Sequence, residues 1–197
     1  ISAGSGVSLW KLRTGKLSHS EEHDDFLRIT TACDELRSLP IYIDDSPSPN
    51  ILQMRAMARR LMVEQGGLGL VIVDYLQLMS GRKNYESPVQ QVTEISRGLK
   101  GLAKELNIPI VAISQLSRAI EQRDGHKPRL SDLRDSGSIE QDADLVMFIH
   151  RDDKVNMEKA RENNTVNMAQ LIIANHRNGP TGQIEFRVDS ESLIFME

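Results

Sequence analysis

The stretch LVIVDYLQLM, residues 70–79, constrains the fold most strongly, because an apolar run ends there in a carboxylate. Residues 70–73 are short of polar groups and rich in β-branched side chains. This pattern predicts a strand buried on both faces, as in a parallel sheet covered by helices. The carboxyl end of such a strand is where open α/β sheets bind ligands. Asp74 is therefore either a ligand of a magnesium-nucleotide complex or the cap of a turn.

Composition narrows the class of protein without naming it. The 197 residues fit one domain, and 26% charged and 39% hydrophobic residues are typical of a globular chain. A net charge of −4 excludes a generally basic nucleic-acid coat. The single cysteine, Cys33, cannot form an internal disulfide, which favours a reducing cytoplasm. No segment has the roughly 20 apolar residues of a membrane span, so no membrane partner is expected.

Three stretches have the periodicity of amphipathic helices, and two of them also open with capping residues. Residues 18–38 open with Ser18 and Glu21, which are spaced as a capping box before an apolar stripe that includes Cys33. Residues 50–65 place their apolar side chains on one face. The third stretch, 87–106, opens with Ser-Pro, an N-cap followed by a proline in the first turn.

The other apolar runs predict five more strands, at residues 41–45, 108–114, 143–150, 168–176 and 183–189. The last two flank NGPTG, a turn signal, and so predict a hairpin. The polar stretch 151–165 is expected to be mobile. Buried strands that alternate with helices and end in a hairpin predict an α/β fold, with a mostly parallel sheet flanked by helices and a C-terminal antiparallel hairpin.

Polar residues follow three of the predicted strands. Asp74 and Gln115 end two buried runs, and Arg177 follows another. A carboxylate at a sheet edge can hold Mg²⁺, usually through water. A neutral amide can contact a terminal phosphate, and an arginine can neutralise the charge that develops in phosphoryl transfer. The alternatives are a turn cap for Asp74, a loop amide for Gln115 and a solvated hairpin arginine for Arg177.

Long ordered strings give the chain a family resemblance. The strings LWKLRTGKLS, LVIVDYLQLM, PIVAISQLSR, KPRLSDLRDSGSIEQDADLVMFIHR and ANHRNGPTG resemble the bacterial replicative DNA helicases of the DnaB family. The resemblance covers almost the whole chain. It implies a RecA-like ATPase domain, and other RecA-fold ATPases lack the string SDLRDSGSIEQDAD.

The resemblance also implies roles for individual residues. Asp74 matches the Walker B aspartate that positions Mg²⁺, and Gln115 matches the glutamine that senses the γ-phosphate of ATP. Arg177 matches the arginine finger that acts on the ATP of a neighbouring subunit in a hexameric ring. The loop positions that contact the backbone of single-stranded DNA are matched by Arg134, Asp135 and Gly137. The alternative for Arg134 is a surface ion pair with Asp132 or Asp135.

The sequence departs from the family pattern in the residues that bind the phosphates of ATP. No GxxxxGK[ST] string, the P-loop, occurs in the sequence. Residues 1–197 are therefore interpreted as a partial RecA-like helicase ATPase domain, from Walker B onward, that lacks the P-loop and the first core strands. The catalytic glutamate of the family is expected upstream as well. The chain alone is expected neither to bind ATP tightly nor to hydrolyse it, and to expose apolar strand edges at 108–114 and 143–150.

Asn175 is a second departure, because family members usually place a lysine two positions before the arginine finger. A neutral amide donates a hydrogen bond but does not offset phosphate charge. Arg177 would then supply the positive charge to the neighbouring ATP by itself, so Asn175 is a nucleotide-binding candidate with a weaker contribution.

Two stretches, 82–104 and 115–134, are locally basic although the chain is acidic overall. Only one aromatic residue, Tyr85, lies in them. Contacts to a phosphate backbone are therefore favoured over base stacking. The alternative is that solvated helix faces carry these charges, which is favoured for 82–104.

These observations predict a fragment of a replicative DNA helicase whose parent couples ATP hydrolysis to translocation on single-stranded DNA and to duplex unwinding. Mg²⁺ and ATP are the expected cofactor and substrate. Single-stranded DNA, further copies in a homo-hexamer, a primase and a helicase loader are the expected partners. Two rivals stay open: a RecA-like recombinase-type ATPase, and a truncated non-enzymatic paralogue that binds DNA or helicase subunits.

Overall fold

The computed structural model describes residues 1–20, 23–81, 87–123, 125–192 and 194–196, and of residues 134–136 it describes the backbone alone. Two units follow from the contacts along the chain: the first comprises Ile1–Asp44, His150–Leu171 and Ile184–Glu197, and the second comprises Asp45–Ile149 and Ile172–Gln183. All the predicted site residues lie in the second unit.

Eight α-helices occur in the described part of the chain: α1 Ser2–Ser5, α2 Leu9–Thr14, α3 Asp25–Ser38, α4 Ile51–Gln65, α5 Pro88–Leu106, α6 Gly137–Asp142, α7 Asp152–Val155 and α8 Met157–Glu162. Shorter 3₁₀ segments lie at Leu76–Leu78, Arg118–Gln122 and Leu130–Ser136.

The strands are β1 Val71–Val73, β2 Ile110–Ala112, β3 Leu145–His150, β4 Met168–His176, β5 Gly182–Asp189 and β6 Ile194–Met196. Strands β1 and β2 pair in parallel, with Val71 opposite Ile110 and Val73 opposite Ala112. The other four form a second sheet in the order β3, β4, β5, β6, in which β5 and β6 are antiparallel. The predicted hairpin is present, since β4 and β5 are neighbours joined by a short turn.

Helices α4 and α5 form the core of the second unit with β1. Asn50 and Gln53 make the capping box of α4, and Ser87 caps α5 by accepting from the backbone N–H of Val89 at 3.3 Å. One buried cluster contains Ile51, Val73, Leu76, Met79, Ile95 and Leu99. Gly98 lets the two helices approach closely, because a Cβ there would lie 2.7 Å from a side-chain carbon of Ile51.

The second unit leaves apolar strand faces exposed, which corrects the expectation of strands buried on both faces. Ile72 is 62% exposed, and β3 alternates between exposed residues such as Met147 and buried ones such as Phe148. Within the described residues β2 pairs only with β1 and β3 only with β4. The apolar edges expected at 108–114 and 143–150 are therefore present, because no further strand among the described residues pairs with β2 or β3.

Buried carboxylates fix the first unit. Asp25 accepts from the Lys11 ammonium at 2.9 Å and from the Ser18 backbone N–H at 2.8 Å. The Lys11 hydrogen bond, followed by that of Ser18, lowers the pKa of Asp25 below its ordinary value. Asp153 is also buried, and the guanidinium of Arg151 donates to both of its oxygens at 3.0 and 2.7 Å.

Three predictions in this first unit were wrong. Helix α3 begins at Asp25 and not at residue 18, because Asp24 is its N-cap and accepts from the Leu27 N–H at 3.0 Å. The Ser18 N–H donates to Asp25 instead. Glu21, the other residue of the predicted capping box, lies outside the described residues. The apolar stripe of α3 is largely exposed, and Cys33 is only partly buried. Residues 41–45 are not a strand: no strand among the described residues pairs with them, and Ile43 is 89% exposed. The polar stretch 151–165 contains α7 and α8, held by the buried Asp153 and Ala160.

Candidate functional site

Asp74 and Gln115 meet where the two parallel strands end. Ile113 N–H donates to the carbonyl of Val73 at 2.9 Å, and the Ile113 carbonyl accepts from Leu76 N–H at 2.9 Å. These two hydrogen bonds set Asp74 beside Ile113, two residues before Gln115. The structure thus brings together the two residues that the sequence placed at one sheet edge, as parallel strand ends require.

Gln77, which was not among the predicted site residues, joins these two strand ends. Its amide nitrogen donates to the Ser114 hydroxyl at 3.1 Å, and its amide oxygen accepts from the Gln115 backbone N–H at 3.3 Å. We call Asp74, Gln77 and Gln115 the strand-end site. Gln77 bridges the backbone that carries Gln115, so the site is held together before any ligand binds.

The carboxylate of Asp74 is exposed and has no hydrogen-bond or ion-pair partner among the described residues. It is thus free to accept from a metal-bound water. No group of three or more His, Cys, Asp or Glu side chains gathers around it in the described ranges. A single carboxylate of this kind fits Mg²⁺, which keeps several waters and takes substrate phosphate oxygens as its other ligands.

Arg177 lies directly after β4 and is held by residues that precede β3. Its guanidinium donates to Asp144 Oδ1 at 3.0 Å and to the Gln141 carbonyl at 2.9 Å. Its backbone N–H donates to the Asp144 carbonyl at 2.8 Å. The side chain is nevertheless 49% exposed. We call Glu140, Gln141, Asp144, Asn175 and Arg177 the arginine site.

Asn175 belongs to the same contact set. Its amide donates to the Glu140 carbonyl across a long 3.5 Å. Glu140 and Gln141 lie in the last turn of α6, where helix carbonyls have no intrahelical partner. Side chains from the end of β4 thus satisfy the end of α6, and a cation there is also favoured by the helix dipole. Asn175 is directed at a backbone carbonyl.

The predicted DNA-contact positions lie at the start of α6. Arg134 and Asp135 fall in the 3₁₀ segment Leu130–Ser136, and only their backbone is described, while Gly137 is the exposed first residue of α6. A Cβ built on Gly137 meets nothing within 4 Å. The fold therefore does not require glycine there, which leaves room for a ligand.

Asp132 anchors the segment that leads to these positions. It is buried, and its two oxygens accept from the Arg123 guanidinium at 3.1 and 2.6 Å. The backbone N–H of Arg129 donates to it at 2.8 Å. The Arg123 hydrogen bond is the main cause that lowers the pKa of Asp132 below its ordinary value. Asp132 is therefore a buried partner of Arg123 and not a surface carboxylate, whereas the side chains of Arg134 and Asp135 lie outside the described part of the chain.

None of the helices in the described ranges is long and apolar enough to cross a membrane.

Comparison with known families gives a match over the whole chain. The profile of the DnaB-like helicase C-terminal domain matches residues 1–197. The replicative DNA helicase DnaB of Geobacillus stearothermophilus is 45% identical over 197 residues, which are 100% of this chain and 41% of that protein. The replicative DNA helicase DnaB of Mycobacterium leprae is 48% identical over 181 residues, which are 92% of this chain and 28% of that protein. The chain thus spans less than half the length of these relatives.

Two solved structures have the same fold as this chain. A solved ATPase domain superposes with a TM-score of 0.89 and 34% identity over 99% of this chain, which covers 67% of that domain. A DnaB-like replicative helicase, solved in work on its interactions with primase, also superposes with a TM-score of 0.89, at 33% identity over 99% of this chain and 45% of that one. The expected fold class, a RecA-like sheet with helices and a C-terminal antiparallel part, is confirmed.

Proposed function

Because the chain belongs to the DnaB-like helicase C-terminal domain family, we propose that it is the part of a replicative helicase that completes the ATPase site and contacts DNA. The full-length protein would couple ATP hydrolysis to movement along single-stranded DNA and to strand separation. The observation that carries this proposal is the parallel pair β1–β2, at whose end lie Gln115 and Asp74, the latter without a partner among the described residues.

The strand-end site would act on the nucleotide. Asp74 would hold Mg²⁺ through water, and the metal would supply positive charge that offsets the charge of the ATP phosphates. Gln115, whose backbone is held by Gln77, would contact the γ-phosphate through its exposed amide. Loss of the γ-phosphate would then remove a contact of Gln115 and change the conformation at the end of β2.

The arginine site would act on a different nucleotide. We propose that Arg177 and Asn175 face the ATP bound to a neighbouring copy, and that the copies form a homo-hexamer. The exposed guanidinium supports this, since its remaining N–H groups can reach an external phosphate. A trans arginine needs no P-loop in its own chain.

The start of α6 would contact single-stranded DNA. The exposed Gly137 and its open surroundings support a close approach of the DNA backbone to the positions Arg134, Asp135 and Gly137. Such contacts carry no base readout, which suits an enzyme that moves over any sequence. A primase and a helicase loader are the further partners we propose, and the cytoplasm, where bacterial DNA is replicated, is the proposed location.

A forked-duplex assay tests this function. The full-length protein should separate strands only with ATP and Mg²⁺, and Asp74→Ala should abolish the separation while leaving the folded hexamer intact. Residues 1–197 alone should neither bind Mg-ATP at micromolar concentration in equilibrium dialysis nor release phosphate. Failure of the full-length protein to unwind, or turnover by the isolated chain that Asp74→Ala abolishes, would contradict the proposal or its division of the site.

A further inference from the structure

The guanidinium of Arg177 is fixed by acceptors that lie more than thirty residues away in the sequence. Asp144 Oδ1 and the Gln141 carbonyl accept from its two terminal nitrogens, Nη1 and Nη2, at 3.0 and 2.9 Å. The backbone of the same two residues is joined as well, through Arg177 N–H and the Asp144 carbonyl at 2.8 Å. Two side-chain bonds and one backbone bond therefore define the direction of this arginine.

The fixed arginine keeps donors for a ligand. A guanidinium carries five N–H donors in one plane, and the structure uses two of them. The side chain is 49% exposed, so a phosphate oxygen from outside the chain can approach the donors that the described residues leave unused. These contacts orient the guanidinium of Arg177 and leave some of its N–H donors available for a ligand.

Asp144 is itself held from the core of the second unit. Lys100 on α5 donates to its other oxygen, Oδ2. Helix α5 is firmly packed around this point, since Leu99 and Leu102 are both buried. The Lys100 hydrogen bond, with smaller charge contributions from Lys100, Arg177 and Lys104, lowers the pKa of Asp144 below its ordinary value, so the carboxylate is ionised near neutral pH.

We propose that Asp144 is a positioning residue for Arg177, which sets the direction of the arginine toward the phosphates of a neighbouring copy. The inference rests on the proposed trans action of Arg177 and adds a residue to it. Asp144 touches neither nucleotide nor metal in this scheme; it acts through the arginine. A group misplaced by about 1 Å can cost about 10²-fold in rate, so loss of Asp144 should lower kcat.

A stability effect does not explain such a loss. The Asp144 side chain is 59% exposed, and exposed ion pairs contribute little to folding. Asp144→Asn keeps the shape of the side chain and removes its charge. The variant should therefore fold and assemble as the wild type does while its turnover falls.

The test is steady-state ATPase of the full-length hexamer with saturating single-stranded DNA. Asp144→Asn should lower kcat about 10- to 100-fold, with the KM for ATP changed less than about twofold. Asp144→Glu, which restores a charged acceptor, should recover part of the loss. In an Arg177→Ala background, Asp144→Asn should have no further effect, because the residue that it positions is gone.

Two matched variants separate positioning from general structure. Asp142→Asn removes a carboxylate from the same segment, but Asp142 accepts from Ser96 at 2.8 Å and not from Arg177. Lys100→Met removes the other partner of Asp144 but leaves the carboxylate and its bond to Arg177, so it should lower kcat less than Asp144→Asn does. Asp142→Asn should keep kcat within about threefold of wild type. An equal loss in Asp142→Asn would assign the Asp144 effect to the packing of the segment and would overturn the proposal.

The remaining outcomes are also distinct. If Arg177→Ala abolishes turnover while Asp144→Asn leaves kcat within twofold, Asp144 does not position the arginine. If Asp144→Asn raises kcat, the carboxylate restrains the arginine, which also overturns the proposal. If Arg177→Ala itself leaves kcat unchanged, the proposed trans action fails, and that failure is seen independently of Asp144.

Discussion

The strand-end site and the arginine site differ in how much of their geometry exists before a ligand binds. Asp74 has no partner in the described part of the chain, whereas Arg177 is bound through its side chain and its backbone to Gln141 and Asp144. Both groups are exposed. In the proposed function, Asp74 would find its partners in a metal and phosphates, whereas Arg177 already has two partners within the fold.

This difference fits the charges involved. A carboxylate at a strand end gains its ligand only when Mg²⁺ arrives with phosphates, so tying it to a protein cation would compete with the metal. A long arginine side chain has many rotamers, and fixing it in advance lowers the entropy lost when it binds. The two sites thus divide the work between a free ligand and an oriented cation.

The largest effect is expected from removing either charged group in the full-length protein. An arginine finger contributes on the order of 10³–10⁵ in rate, so Arg177→Ala should lower kcat at least about 10³-fold. Loss of the metal contact in Asp74→Ala should cost several kcal/mol in the barrier, which is also about 10³-fold. Phosphate release at saturating DNA measures both.

Stability should separate the same two variants. Asp74→Ala should leave the free energy of urea unfolding unchanged within about 0.5 kcal/mol, because it breaks no contact. Arg177→Ala should cost up to about 1 kcal/mol, the usual size of an exposed ion pair. A clear destabilisation by Asp74→Ala would contradict the description of Asp74 as a free ligand.

The next effect concerns the anchor that leads to the arginine site. Asp132→Asn should lower the unfolding free energy of this chain by about 3 kcal/mol, because a buried carboxylate loses its charge while Arg123 keeps its own. The pKa of Asp132 is lowered in the folded state, so its contribution is present above its ordinary pKa and is lost as pH falls through the lowered one.

Urea unfolding at several pH values checks this sign. The difference between wild type and Asp132→Asn should be constant near neutral pH and should shrink in strong acid, where the wild-type carboxylate is also protonated. A difference that grows toward low pH would show that Asp132 does not act through its charge.

A smaller effect is expected at the start of α6. Gly137→Ala adds a methyl group where the chain leaves open space, so stability should not fall. If a DNA backbone passes against this position, affinity for single-stranded DNA should drop about tenfold, a change of about 1.4 kcal/mol. Gly101→Ala, also in open space but on α5, is the matched control. Equal DNA affinity in both variants would remove Gly137 from the contact surface.

The smallest effect is expected for one phosphate contact. Arg134→Ala should weaken binding by a few fold, equally for all sequences, and should reduce the slope of log affinity against log salt by about 0.7. Arg60→Ala on α4 removes the same charge outside the predicted loop and should change neither quantity. Fluorescence anisotropy at several salt concentrations measures both, and an unchanged slope for Arg134→Ala would exclude the contact.

Local signals predicted the parts of the fold that depend on local interactions. The helix at 50–65, the Ser87 cap of α5 and the hairpin about NGPTG were predicted from neighbouring residues, and the structure has them. The prediction of a strand at 41–45 was wrong because a strand forms only where another strand pairs with it, and none of the described strands does so there. Helix α3 begins at Asp25, seven residues after the predicted start, because the Ser18 N–H donates to the buried Asp25 and Ser18 does not cap a helix.

The same limit applies to the candidate sites. Asp74, Gln115 and Arg177 could be found because each follows an apolar strand. The contact between Asp144 and Arg177 could not be predicted, since Asp144 lies in a polar string and meets Arg177 only because the fold places the end of β4 beside it. A contact between two segments this far apart in the chain depends on the fold, and neither segment has a periodicity or spacing that predicts it.

The most direct test of the account is to mix the two inactive proteins. Arg177→Ala subunits keep the strand-end site and Asp74→Ala subunits keep the arginine site, so a mixed hexamer contains some interfaces at which both are intact. The account predicts that rings shown to be mixed by mass spectrometry recover ATPase activity well above either parent. No recovery in verified mixed rings would contradict it, because the arginine would then act within its own chain or have a structural role only.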